Sequence, residues 1–161
     1  MPAKALSLFM LHCAASPAND RLTGDDVRRW HTDPVSRGGR GWKVPGYSTV
    51  IRVDGTIDSL VTFDEDQWVE AGEITNGAVG FNGVTRHVCY IGGVDERGRP
   101  KDTRTAAQKK VLADMCKRMV ARHPDIKILG HSQVQPAKPF CPGFHVQTWL
   151  KSIGIPAKNI Y

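Results

Sequence analysis

The sequence has no Cys-x-x-Cys pair. Its four cysteines, Cys13, Cys89, Cys116 and Cys141, are spread widely through 161 residues. That spacing argues against a disulfide framework, which a domain this long does not need, and makes a reducing compartment the default. Each cysteine is first read as a small buried hydrophobe. No apolar run approaches the roughly 20 residues of a membrane-spanning helix, so no membrane insertion is expected. Repeats and low-complexity tracts are also missing. Acidic residues are in deficit: 16 Asp and Glu stand against 22 Lys and Arg, a formal charge of +6 with histidine neutral. The excess points to a polyanionic partner, whether nucleic acid, a membrane surface or an anionic cell wall, without choosing among them.

A secretory signal is not expected either. Lys4 precedes the apolar run from Ala5 to Leu11, but one cation is a weak charged start and His12 interrupts the run. The stretch Leu6–His12 reads better as a buried β-strand. A chain without a signal would accumulate in the cytoplasm.

The composition is globular, with 40% apolar and 24% charged residues. The chain reads as one domain over 1–161. Thr23 is a helix N-cap candidate before Gly-Asp-Asp, and Val27, Trp30 and His31 share one face of the short helix that follows. Arg37–Pro45 is a Gly-rich basic loop carrying Trp42. Residues Tyr47–Val53 and Thr56–Leu60 flank Asp54-Gly55, a strong hairpin signal. Residues 61–85 are expected to be an irregular loop. His87–Ile91 and Ile126–Leu129 read as strands. Thr105–His123 is the longest amphipathic helix, with Val111, Leu112, Met115 and Met119 at helical spacing. Phe144–Ile153 is a final helix stopped by Gly154. The expected fold class is α/β or α+β, a central mixed β-sheet flanked by helices.

His12 and His131 each close a strand, and strand ends open onto loops where sites are assembled. Cys141 follows in a loop stiffened by Pro136 and Pro139. Two imidazoles and one thiolate suit a zinc ion that keeps its fourth position open. Spacing alone also allows unrelated histidines and a buried cysteine. Cys13 follows His12 directly, so it should point to the opposite face, into the core.

An ordered series of strings then resembles one family. It runs from Leu11-His-Cys-Ala-Ala-Ser16 and Val27-Arg-Arg-Trp-His31 through Gly41-Trp42, Pro45-Gly-Tyr47 and Ile51-Arg-Val-Asp-Gly-Thr56. It continues with Gly80-Phe-Asn82, Val88-Cys-Tyr-Ile-Gly-Gly-Val94, Leu129-Gly-His131 and Pro136-Ala-Lys-Pro-Phe-Cys-Pro-Gly-Phe144. The chain is similar in these strings to the zinc-dependent N-acetylmuramoyl-L-alanine amidases, the type-2 amidase and peptidoglycan-recognition superfamily, and to small phage endolysins in particular. The resemblance implies an amidase-like single domain holding one Zn2+ ion through His12, His131 and Cys141. It implies that Tyr47 and Lys138 assist catalysis and that Asn82 borders the substrate cleft. Trp42 could stack on a sugar or peptide, with Arg37, Arg40 and Lys43 as a basic rim. The activity implied is bacteriolytic hydrolysis of the amide between N-acetylmuramic acid and L-alanine in peptidoglycan. The enzyme would be a monomer in the cytoplasm of a phage host until a membrane lesion releases it to the wall.

Two departures stand out. Ser48 follows Gly46-Tyr47, where the family often has histidine. The stretch 70–79 lacks a histidine that phage members often carry, with Glu73 and Asn76 as polar residues there. His31, His87, His123 and His145 match no ligand position and are read as structural or exposed. Two rival readings are a non-catalytic peptidoglycan-binding or regulatory module, disfavoured by the presence of Cys141, and a basic nucleic-acid-binding domain, disfavoured by scattered charge and the lack of a motif. No nucleic-acid partner is expected.

Overall fold

A computed structural model describes residues 2–161. Its centre is a five-stranded mixed sheet. The strands are β2 (Leu8–Cys13), β3 (Thr49–Ile51), β4 (Ile57–Ser59), β6 (Thr85–Tyr90) and β7 (Lys127–Gly130), in the order β4-β3-β6-β2-β7. All neighbours are parallel except the β3–β4 hairpin. Every residue of β2 and β6 is buried. That follows from covering a parallel sheet on both faces, and it explains why these strands read as near-continuous apolar runs.

Side chains alternate across the sheet. Phe9, Leu11, Ile51, Val88, Tyr90 and Ile128 face one side, where they meet Leu112 and Cys116 of α2 (Ala106–Arg122) and Val146 and Leu150 of α3 (Val146–Ser152). Leu8, Met10, Val50, Cys89, Ile91 and Leu129 face the other side, where α1 (Gly24–Thr32) brings Val27 and a loop brings Ala78. Helix α2 starts at the expected Thr105: its hydroxyl accepts from the N–H of Gln108, and the Gln108 side chain accepts from the N–H of Thr105. The Gln108 amide also donates to the carbonyl of Ile91 at 2.9 Å, which ties the helix start to the end of β6.

The hairpin turns at Asp54-Gly55 as expected. Gly55 has φ +88°, a conformation that L side chains resist. The Asp54 carboxylate accepts from the N–H of Thr56 at 2.8 Å. Helix α1 differs in one respect: Val27 and His31 are buried, but Trp30 is 38% exposed. The segment 61–85 is more ordered than expected. It contains β5 (Trp68–Val69), which pairs antiparallel with β1 (Lys4–Ala5), and short 3-10 turns at Ala71–Glu73 and Asn82–Val84. The buried Arg86 guanidinium anchors this segment by donating to the Glu73 carboxylate at 2.6 Å and to the carbonyl of Trp68 at 2.9 Å. Glu73 is therefore committed to Arg86 and to the N–H groups of Asp64 and Glu70. No described helix is long and apolar enough to cross a membrane.

Candidate metal centre and cleft

The strand order puts β2 between β6 and β7, so His12 near the end of β2 lies beside His131, the first residue after β7. Their ring centroids are 4.6 Å apart. Cys141 reaches the same point from the loop that follows, with its Sγ 3.7 Å from His12 Nδ1. One ligand atom from each of His12, His131 and Cys141 lies within 4.8 Å of the others. In both rings Nε2 is bonded away from the trio. His12 Nε2 meets His87 Nδ1 at 2.9 Å, and His131 Nε2 meets the Gln135 side-chain oxygen at 2.6 Å. That leaves Nδ1 of each ring for a shared cation. Two borderline nitrogens and a sulfur are a donor set that would suit zinc.

The electrostatics agree with a neutral-imidazole site. Burial pushes His12 well below the ordinary histidine value, and the neighbouring His87, His131 and His31 push it the same way. Burial also lowers His131, while its bond to Gln135 works in the opposite direction. Contact with the Cys13 thiol, followed by burial, raises the Cys141 thiol. Cys13 packs with Phe9 and Leu11 as the strand alternation predicts, but its N–H also points at Cys141 Sγ, 3.5 Å away.

His131 and Cys141 line an open cleft of about 710 Å³, and His12 is buried beside them. Tyr47 enters it just ahead of β3, with its ring 4.8 Å from that of His12. Burial raises its phenol well above the ordinary tyrosine value, so it stays protonated at neutral pH. His31 positions this corner: its Nδ1 accepts from the N–H of Gly46 at 3.1 Å, and its ring meets Tyr47 edge-on. Trp42 lines the cleft stacked on His31 at 5.0 Å, and Arg40 sits 5.0 Å from the Trp42 ring centre. Lys138 also lines the cleft and is exposed. Asn82 borders the cleft, but its side-chain oxygen accepts from the N–H of Ala78 and so also closes the loop there. Of the two polar residues noted in 70–79, Asn76 lines the cleft and Glu73 does not. Ser48 is buried and donates to the carbonyl of His87, so it faces the sheet.

His87 is the site neighbour that sequence reasoning missed. It sits one strand over from His12 and is fully buried. No local pattern marks it, because its partner is 75 residues away in the chain. Among the other histidines, His145 caps α3 by accepting from the N–H of Thr148.

Two imidazoles and a thiol that could hold a metal thus meet at one end of a mixed sheet, with a phenol and an open cleft beside them. The sequence profile of the N-acetylmuramoyl-L-alanine amidases matches residues 2–144, and the chain belongs to that family, the type-2 amidase and peptidoglycan-recognition superfamily. It is 30% identical to the endolysin of Enterobacteria phage K11 over 146 residues, which cover 91% of this chain and 86% of that one. It is 26% identical to the endolysin of Escherichia phage T7 over 141 residues, covering 88% and 83%. Among solved structures, the Ph2119 endolysin from the Thermus scotoductus MAT2119 bacteriophage aligns with a TM-score of 0.68 at 18% identity, over 96% of this chain and 88% of that one. Drosophila PGRP-LB aligns at 0.64 and 20% identity, over 96% and 86%. These structural likenesses carry the fold.

Proposed function

We propose that the protein is a zinc-dependent amidase that cleaves the bond between N-acetylmuramic acid and L-alanine in peptidoglycan, acting as a phage-type endolysin. The observation that carries this reading is the gathering of His12, His131 and Cys141 at the edge of the cleft in a chain of the amidase family. Zinc held there supplies an acidified water and a Lewis-acid contact for the scissile carbonyl.

The chain's own residues do the rest. His12 and His131 are held neutral by burial, so their lone pairs stay free for a metal at ordinary pH. The Tyr47 hydroxyl, kept protonated, orients water and moves a proton at the reacting centre. Lys138 on the rim places an ammonium where negative charge develops on the carbonyl oxygen. Trp42 and Asn82 border the groove that takes the glycan and stem peptide. The net charge of +6 draws the enzyme to an anionic wall. The reading places synthesis in the host cytoplasm, one catalytic domain over the whole chain, and a monomeric enzyme.

The test is direct. The purified protein should contain zinc and release stem peptides from peptidoglycan, and a chelator should stop the release. Chelator-insensitive cleavage, or a protein with neither zinc nor cleavage, overturns the reading. Tyr47→Phe should keep its zinc and lower kcat by roughly 10²–10⁴-fold. Lys138→Ala should keep its zinc and lower kcat by roughly 10²-fold, the smaller end expected for an exposed cation. Normal turnover in either variant removes that residue from the mechanism.

A further inference from the structure

We propose that His87 is a positioning residue for the metal centre: its Nδ1 accepts the Nε2 proton of His12, which leaves His12 Nδ1 bare for the metal. The inference rests on the zinc reading above. An imidazole ligand binds through a lone pair, so the ring nitrogen away from the metal carries the proton. His12 Nδ1 is the nitrogen facing Cys141, and Nε2 lies 2.9 Å from His87 Nδ1. Only one distribution of protons satisfies both contacts with a metal bound: Nε2–H on His12, and Nε2–H on His87. The alternative puts a proton on His12 Nδ1, aimed into the ligand trio.

The surroundings hold His87 in this role. It is fully buried on β6, and its backbone carbonyl accepts from both the N–H and the hydroxyl of Ser48. Its own Nε2 is buried without a partner, so the ring has a single polar engagement, the one with His12. Above the ring lies Gly77. A Cβ at that position would fall 2.3 Å from His87 Nδ1 and 2.5 Å from its Cγ. The loop without a histidine of its own is thus the loop whose glycine makes room for this one. The two ligand rings also differ in support: His131 leans on an amide oxygen, whereas His12 leans on a neutral imidazole with a single lone pair.

Three variants and one spectrum test this. His87→Leu keeps the branched shape and removes the acceptor. His87→Asn keeps an acceptor close to the position of Nδ1. Gly77→Ala leaves His87 in the sequence but drives a methyl group into its ring. Zinc affinity, measured by competition with a chromophoric chelator, should fall roughly 10–100-fold in His87→Leu and in Gly77→Ala. In His87→Asn it should return to within about threefold of wild type, a rescue that a packing role would not show. In the zinc-loaded wild type, nitrogen-15 spectra should show His87 as the Nε2–H tautomer with a bare, accepting Nδ1. A His87 Nδ1–H signal there overturns the proposal, and this readout needs no variant to fold. Equal zinc affinity in wild type and His87→Leu also overturns it, as does an Asn variant as weak as the Leu variant. A wild type that takes up no zinc is a different result and overturns the metal reading itself.

Discussion

Cys141→Ala should yield a folded protein without bound zinc, whose amide hydrolysis is at least about 10⁴-fold below wild type. The thiol is the one soft ligand of the trio and the one anionic donor it can offer, since His12 and His131 are neutral. Losing it leaves two imidazoles, and the acidified water goes with the metal. The fold should survive, because the loop around Cys141 is held by its backbone: its carbonyl accepts from Ser132 and its N–H donates to Lys138. The matched control is Cys13→Ala. Cys13 lies beside Cys141 and is the other thiol within reach of the centre, but its side chain packs into the core and against Gly93. That variant should lose some stability and keep both zinc and turnover. Zinc quantification and stem-peptide release on the two proteins decide the matter. Zinc retained in Cys141→Ala and lost in Cys13→Ala would reassign the ligand.

This pair also shows what could be read from residues alone. His12 and Cys13 are adjacent, and strand alternation correctly sends them to opposite faces, so Cys13 enters the core cluster. The hairpin at Asp54-Gly55 and the helix starting at Thr105 were legible because their signals are local. A glycine with positive φ and a reciprocal Thr–Gln cap each act within a few residues. The β1–β5 pairing was not legible. It joins two-residue strands more than 60 residues apart, and neither alternates for long enough to register. The site divides along the same line. Spacing could not bring His12 to His131, because that contact depends on β2 lying between β6 and β7; the family resemblance supplied it. His87 escaped both routes. Its contact with His12 comes from parallel register, Met10 opposite His87 and His12 opposite Cys89, and no string in the sequence records that register.

The metal-free protein should lose stability steeply between pH 6.5 and 5, earlier than carboxylate titration alone would allow. In the unfolded chain each histidine titrates near 6.5. In the native protein burial holds His31 down at about 4 and His87 at about 3. Below pH 6.5 the unfolded chain therefore binds protons that the native state refuses, and stability falls with pH. Each such histidine contributes a slope of about 1.4 kcal/mol per pH unit once pH is well below 6.5. Over the 1.5 units to pH 5, His31 and His87 together remove about 3 kcal/mol, because the slope is only half its full value at pH 6.5; that is a large share of a typical stability of about 5–15 kcal/mol. His12 and His131 are shifted in the same direction and steepen the loss. The salt-bridged carboxylates Asp26, Asp58 and Asp102 are held below their ordinary values, so their loss begins only in more acid solution. With chelator present, the urea midpoint should drop by about 2 M between pH 6.5 and pH 5. His31→Asn supplies the control. Its side-chain oxygen can replace Nδ1 as acceptor for the N–H of Gly46 but takes up no proton, so the slope should decrease by about 1.4 kcal/mol per pH unit. A midpoint that stays flat across this window would mean that His31 and His87 titrate normally in the folded protein.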